Sequence, residues 1–246
     1  MLLIAVGIAA IGCSASAKTS QGATVEVFAA SSLQGAFAEL AQAFEATEAK
    51  SPRSTVALTF GATSAGVQQV RNGAPIQVFA AADESSVQSL VDSGELAGPP
   101  TVFATNRLVM LVEAGNPRHV AGLADLADPK LTVVLGAGQT PIGRYSALAL
   151  NKAGVTLTPA SFEDSAAAVV AKVRSGEADA TIAYRSDAGS AGVEAVEIPD
   201  RFNVTARYAL AIAAKAPAGD VAHRFANFVS GAQGRAVLAK HRFGAP

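Results

Sequence analysis

"TVEVFAASSLQGAFAELAQAF", residues 24–44, decides the fold class. It alternates at first and then runs apolar to Ala30, as a half-buried strand entering a core does. Two serines interrupt the run. Leu33, Phe37, Leu40 and Phe44 then recur at the 4-3-4 spacing of one buried helical face. Strand, short polar junction and helix together are the repeating unit of α/β architecture.

Working outward, the same alternation fills the chain. The patterns predict strands over 55–60, 76–83, 107–114, 131–136, 180–184 and 207–215. Helices are expected over 32–46, 65–72, 84–93, 143–152, 163–175, 219–230 and 232–241. Gly73, Gly94, Gly154 and Gly176 follow helical patterns, where a left-handed C′ residue belongs. Such alternation predicts largely parallel sheets. "VRNGAPIQVFAAAD" (70–83) and "VRSGEADATIAYRSD" (173–187) share a helix end, Arg, Gly, an apolar strand and a closing Asp. That echo fits two lobes built on one plan and joined by strands.

Composition excludes several functions. Of 246 residues half are hydrophobic and 16% charged, and the net charge is −1, so there is no basic field to attract nucleic acid. No polybasic cluster suits an anionic membrane surface. Cys13 is the only cysteine, which rules out an internal disulfide. His119, His223 and His241 lack metal-ligand spacing, so no direct cation site is expected.

Residues 1–12, "MLLIAVGIAAIG", are apolar but too short to span a bilayer as a helix. They read as the hydrophobic core of a secretion signal. Their end, "AAIGC", resembles the lipobox of bacterial lipoproteins, which implies a lipid on Cys13. It departs from that pattern in having Ala10 for the commoner Leu and no basic residue before the apolar run. The alternative is a buried N-terminal element with an ordinary core cysteine. Residues 14–23 are small and polar, as a tether is.

No catalytic set emerges. "GATSAG" (61–66) lacks the G-x-S-x-G spacing of a hydrolase elbow, and no histidine has a triad context. "GAGQTPIG" (136–143) matches neither G-x-G-x-x-G nor a P-loop, with Pro141 in place of a useful lysine. The strand-to-helix junctions say more. Ser31/Ser32, Thr63/Ser64, "TPIG" (140–143) and "EDSA" (163–166) each open a helix. Each offers N–H groups without an intrahelical acceptor and the positive end of a helix dipole. Taken singly, each is an N-cap, and Ser31-x-x-Gln34 even has capping-box spacing. Together they lie outside strand C-termini, where open α/β sheets bind ligands. The residues alone support a two-lobed α/β binding protein for an anion.

"VFAASSL", "LTFGATSAGVQQVRNGAPIQVFAAAD", "TPIGRYSALAL" and "EDSAAAVVAKVRSGEADATIAYRSDA", in this order, resemble the molybdate-binding proteins of bacterial ABC importers. The resemblance covers residues 24–244. It implies a type II periplasmic-binding-protein fold, each lobe a mainly parallel sheet flanked by helices, with two hinge strands. Lobe 1 would comprise 24–104 and 207–246, and lobe 2 105–206. Carried over by motif, the anion donors are the Ser32 hydroxyl, the Thr63 hydroxyl, the Ile142 and Ala166 amides and the Tyr184 hydroxyl. Ser31 and Ser64 are second choices, and Thr63 stands where the family usually has serine. The ligand is molybdate or tungstate, held by these residues, with no separate cofactor. The partners are a membrane permease and, through Cys13, the membrane, and the protein is expected to be an exported, anchored monomer.

Neutral donors make physical sense, because a bare buried dianion would cost tens of kcal/mol. Hydrogen bonds to a charged group each return about 1.5–3 kcal/mol. Asp83 and Asp187 are read as structural, since carboxylates repel an anion. Arg144 is read as solvated, with pairing to one of these acids as the alternative. Two rivals remain at this point. One is a binding protein for sulfate or thiosulfate, and the other an exported hydrolase using a serine of the "SS" or "TS" pair.

Overall fold

A computed structural model describes residues 23–48, 54–216 and 219–246. The proposed signal, Cys13 and most of the tether lie outside the described residues. The chain opens with β1 (Thr24–Ala30), a single 3-10 turn at Ser31–Leu33 and α1 (Gln34–Thr47). β2 (Thr55–Gly61), α2 (Thr63–Arg71), β3 (Val78–Ala81) and α3 (Glu84–Asp92) follow. β1 pairs in parallel with both β2 and β3, as strands linked by crossover helices do.

β4 (Leu96–Glu113) then runs for 18 residues through both halves of the molecule. Beyond it come β5 (Val133–Gly136), α4 (Pro141–Ala153), β6 (Ser161–Glu163), α5 (Ala166–Arg174) and β7 (Ala180–Tyr184). β8 (Val193–Glu197) and β9 (Thr205–Ala213) precede the closing helices α6 (Gly219–Ser230) and α7 (Ala232–Lys240).

Strand order is β2-β1-β3-β9-β4-β7-β5-β6, with β8 on β4. The helix-linked strands pair in parallel, β5 with β6 and β7 included. β9 and β4 join antiparallel, as do β4 with β7 and with β8, so each sheet is mixed rather than uniformly parallel. β4 pairs with β9 up to Arg107 and with β7 from Leu108, which hands the chain from one sheet to the other.

Three differences from the sequence patterns have local causes. The strand expected over 107–114 begins instead at Leu96, and its first half carries Gly98, Pro99 and Pro100. That half has two register breaks against β9, the irregularity that lets prolines sit at a sheet edge. Helix 163–175 begins only at Ala166, because Ser165 caps it and Ser161–Glu163 pair with β5. β8, "VEAVE", is short and charged, a strand defined by its partner more than by its own sequence.

The core forms where α1 meets the C-terminal helices. Phe37 packs edge-on to Phe103 (5.8 Å between centroids) and Phe225 (6.2 Å), and Phe44 to Phe225 (5.3 Å) and Phe228 (5.7 Å). Full burial of such a ring contributes about 1.5–3 kcal/mol. On the other face of the first sheet Phe28 stacks on Phe79 at 5.2 Å. Gly66 of α2 lies against that ring so closely that a Cβ there would overlap it. Gly66→Ala should therefore cost about 1–3 kcal/mol by overpacking, read as a lower urea midpoint with unchanged m-value.

Candidate functional site

Five strand ends converge. Ser32 follows β1, and Thr63 is the first residue of α2 after β2. Ile142 lies in the first turn of α4 after β5, Ala166 opens α5 after β6, and Tyr184 ends β7. All five line one small pocket, and Ser31 lines it too. Ser64 does not, and is half-buried nearby. The N-termini of α2, α4 and α5 all open here, with first-turn N–H groups that lack intrahelical acceptors. Three dipole ends at one point favour negative charge. No Lys, Arg or His among the described residues lines the pocket; its one charged residue is Asp164, which is exposed.

The four junctions divide by chemistry. Thr140 caps α4, accepting the Gly143 N–H at 3.1 Å and donating to the Ala137 carbonyl at 2.7 Å. Ser165 caps α5, accepting the Ala168 N–H at 3.2 Å. Ser31, Ser32 and Thr63 cap nothing, so the capping box suggested by Ser31-x-x-Gln34 does not form. Ser31 and Ser32 lie within the 3-10 turn, so Leu33 and not a serine takes the N-cap position of α1. Ser31 Oγ instead accepts the Ala167 N–H at 3.4 Å, from α5 in the other half of the molecule. Thr63 Oγ1 accepts the Ala82 N–H at 3.3 Å, which leaves its proton available.

Tyr184 is the most telling member. Its side chain is 1% exposed, and its hydroxyl is buried with no hydrogen-bond partner. Leaving such a donor unpaired costs about 1–3 kcal/mol. Ser146 and Ser230 also have unpaired buried hydroxyls, but neither lines the pocket. Burial holds the Tyr184 hydroxyl well above the ordinary tyrosine range, so it stays protonated and can only gain by donating.

The acids at the strand ends are structural, as expected. Asp83 caps α3 through the Ser86 N–H at 3.3 Å. Arg144 of α4 ion-pairs with it and also donates to the Gln139 carbonyl at 2.8 Å. The solvated reading of Arg144 is thus replaced by the paired one, because Asp83 is 5% exposed and needs a counter-charge. Asp187 accepts the Tyr184 N–H at 3.1 Å. Tyr208 and Asn106, on β9 and β4, were invisible to sequence reasoning. Tyr208 Oη lies 2.8 Å from Ser32 Oγ across 176 residues of sequence, a separation that no local pattern reports.

The family model for bacterial extracellular solute-binding proteins matches residues 25–244. The chain belongs to that family. This solute-binding protein is 35% identical over 251 residues to a Mycobacterium tuberculosis protein named molybdate-binding protein ModA, covering 99% of this chain and 95% of that one. Its fold is similar to the Azotobacter vinelandii periplasmic molybdate-binding protein, with TM-score 0.75, 20% identity, and 90% and 99% of the two chains covered. It is equally similar to the sulfate-binding protein SubI from Mycobacterium tuberculosis, with TM-score 0.76, 19% identity, and 90% and 86% covered. The fold is therefore that of two-lobed periplasmic binding proteins.

Asp187 gives the site a pH signature. Burial pushes its carboxyl up to about 7, against the opposing pull of the Tyr184 N–H. Between about pH 4 and pH 7 the folded protein holds a proton that the unfolded chain has lost. Stability from this group thus falls as pH rises through that window and stays low above it. Asp187→Asn, which keeps an acceptor for Tyr184, should raise the melting temperature at pH 8 and leave it unchanged at pH 4, measured by calorimetry.

Proposed function

We propose that this solute-binding protein captures molybdate, and tungstate with it, in the pocket between its lobes and delivers the anion to the permease of an ABC importer. The observation that carries this reading is the buried, unpartnered Tyr184 hydroxyl, set in a pocket of hydroxyls and helix N-termini without a side-chain cation. Such a site suits a small anion that accepts hydrogen bonds and carries no proton of its own. Tyr184, Ser32 and Thr63 would donate through hydroxyls, and Ile142 and Ala166 through backbone N–H groups. Lobe 1 comprises 24–104 and 207–246, and lobe 2 105–206.

The Asp83–Arg144 pair and the Ser31–Ala167 bond both join these lobes, and support closure over the anion. Sulfate and molybdate offer the same acceptors. The similarity of fold extends to binding proteins named for each, and the sequence relatives named for molybdate favour molybdate. Ser32 bonds to a tyrosine hydroxyl where a hydrolase would place an imidazole, so the serine pair supports binding and not catalysis. No resident cofactor is required. The "AAIGC" end of the apolar N-terminus supports an exported, lipid-anchored monomer on the outer face of the membrane.

Titration calorimetry with molybdate, tungstate and sulfate tests the ligand, and comparable affinity for sulfate would overturn the molybdate reading. Ser32→Ala and Tyr184→Phe should each weaken molybdate binding about ten- to a hundredfold, the worth of one hydrogen bond to a charged group. Mass spectrometry of the membrane-extracted protein should find a lipid on wild type that Cys13→Ala lacks. An equal, unmodified N-terminal mass in both would remove the anchor.

A further inference from the structure

A serine hydroxyl has a single proton, which it can point either way. Ser32 Oγ lies 2.8 Å from Tyr208 Oη. If Ser32 donated there, it would turn only lone pairs toward the pocket and repel an anion. The direction of that bond is set by Tyr208, which is fully buried. Among the described residues Ser32 Oγ is the acceptor within hydrogen-bond reach of the Tyr208 hydroxyl, so the buried phenol proton, which would otherwise go unpaired, is donated to Ser32. The Ser32 proton is left for the pocket.

Resting on the reading of this pocket as an oxyanion site, we propose that Tyr208 is a positioning residue that orients the Ser32 hydroxyl as a fixed donor toward the bound anion. The relay runs Tyr208 O–H to Ser32 O–H to anion, each member donating in one direction. Chained hydrogen bonds of one sense polarise one another, so the last donor is strengthened as well as aimed. Burial also holds the Tyr208 hydroxyl well above the ordinary tyrosine range, which keeps the relay's first proton in place. The ring itself is fixed independently of its hydroxyl. It packs edge-on to Phe103 at 6.4 Å, Tyr184 at 5.6 Å and Phe243 at 5.2 Å.

Tyr208→Phe therefore removes one link and keeps the packing. Molybdate binding would be measured by calorimetry for wild type, Tyr208→Phe, Ser32→Ala and the double variant. Tyr208→Phe should weaken binding about tenfold in the wild-type background and less than about twofold once Ser32 is alanine, since the two act as one unit. A second readout is the ratio of molybdate to inorganic phosphate affinity at pH 7. It should narrow in Tyr208→Phe, because a freed Ser32 can accept the proton that phosphate retains. Equal losses in both backgrounds with an unchanged ratio would mean that Tyr208 only supports the fold. An unaltered affinity in Tyr208→Phe would also overturn the relay. Absence of oxyanion binding by wild type would instead remove the reading of the pocket.

Discussion

The antiparallel ladder that β4 makes with its neighbours sets the geometry of everything at the site. Along it Ala104 faces Tyr208, Asn106 faces Ala206 and Leu108 faces Tyr184. Residues 104, 106 and 108 alternate onto one face of the strand, so a single register places two tyrosines and an amide together. A slip of one residue would turn every one of these side chains to the opposite face. The helices that present their N-termini to the pocket are in turn carried by strands whose order this ladder fixes.

Electrostatically the pocket is unusual for what it omits. Its attraction for negative charge comes from peptide dipoles and hydroxyls, groups that keep their orientation and need no counter-ion. The nearby acids are each dealt with separately. Asp83 has Arg144, and Asp187 is disposed to keep a proton near neutrality. The unpaired hydroxyl of Tyr184 is a standing cost in the fold.

Much of this was legible from sequence, unevenly and for physical reasons. Period-2 and period-3.6 patterns located β1, α1, β7 and the closing helices, because one face of each is buried against a continuous core. The first half of β4 escaped, since Gly98, Pro99 and Pro100 obey a sheet edge and not a strand propensity. Residues at junctions could be found by counting helix starts. Which of the pocket's hydroxyls cap a helix could not, because Thr140 and Ser165 differ from Ser32 and Thr63 in backbone geometry that the residue types do not report. Tyr208 sits in an apolar run that reads as plain strand, and its role arises from a neighbour far away in the chain.

The place of β9 in the sheet has a bearing on how the molecule comes into being. β9 lies between β3 and β4, so the first sheet stays open in its middle until nearly the whole chain exists. Phe225 and Phe228, which complete the packing on α1, come later still. A chain emerging from its N-terminus must hold β1 to β3 without their central partner through well over a hundred residues of synthesis. Early folding of the N-terminal half alone is thus disfavoured by topology. The same discontinuity that lets two strands act as a hinge delays the native state until the last helices arrive.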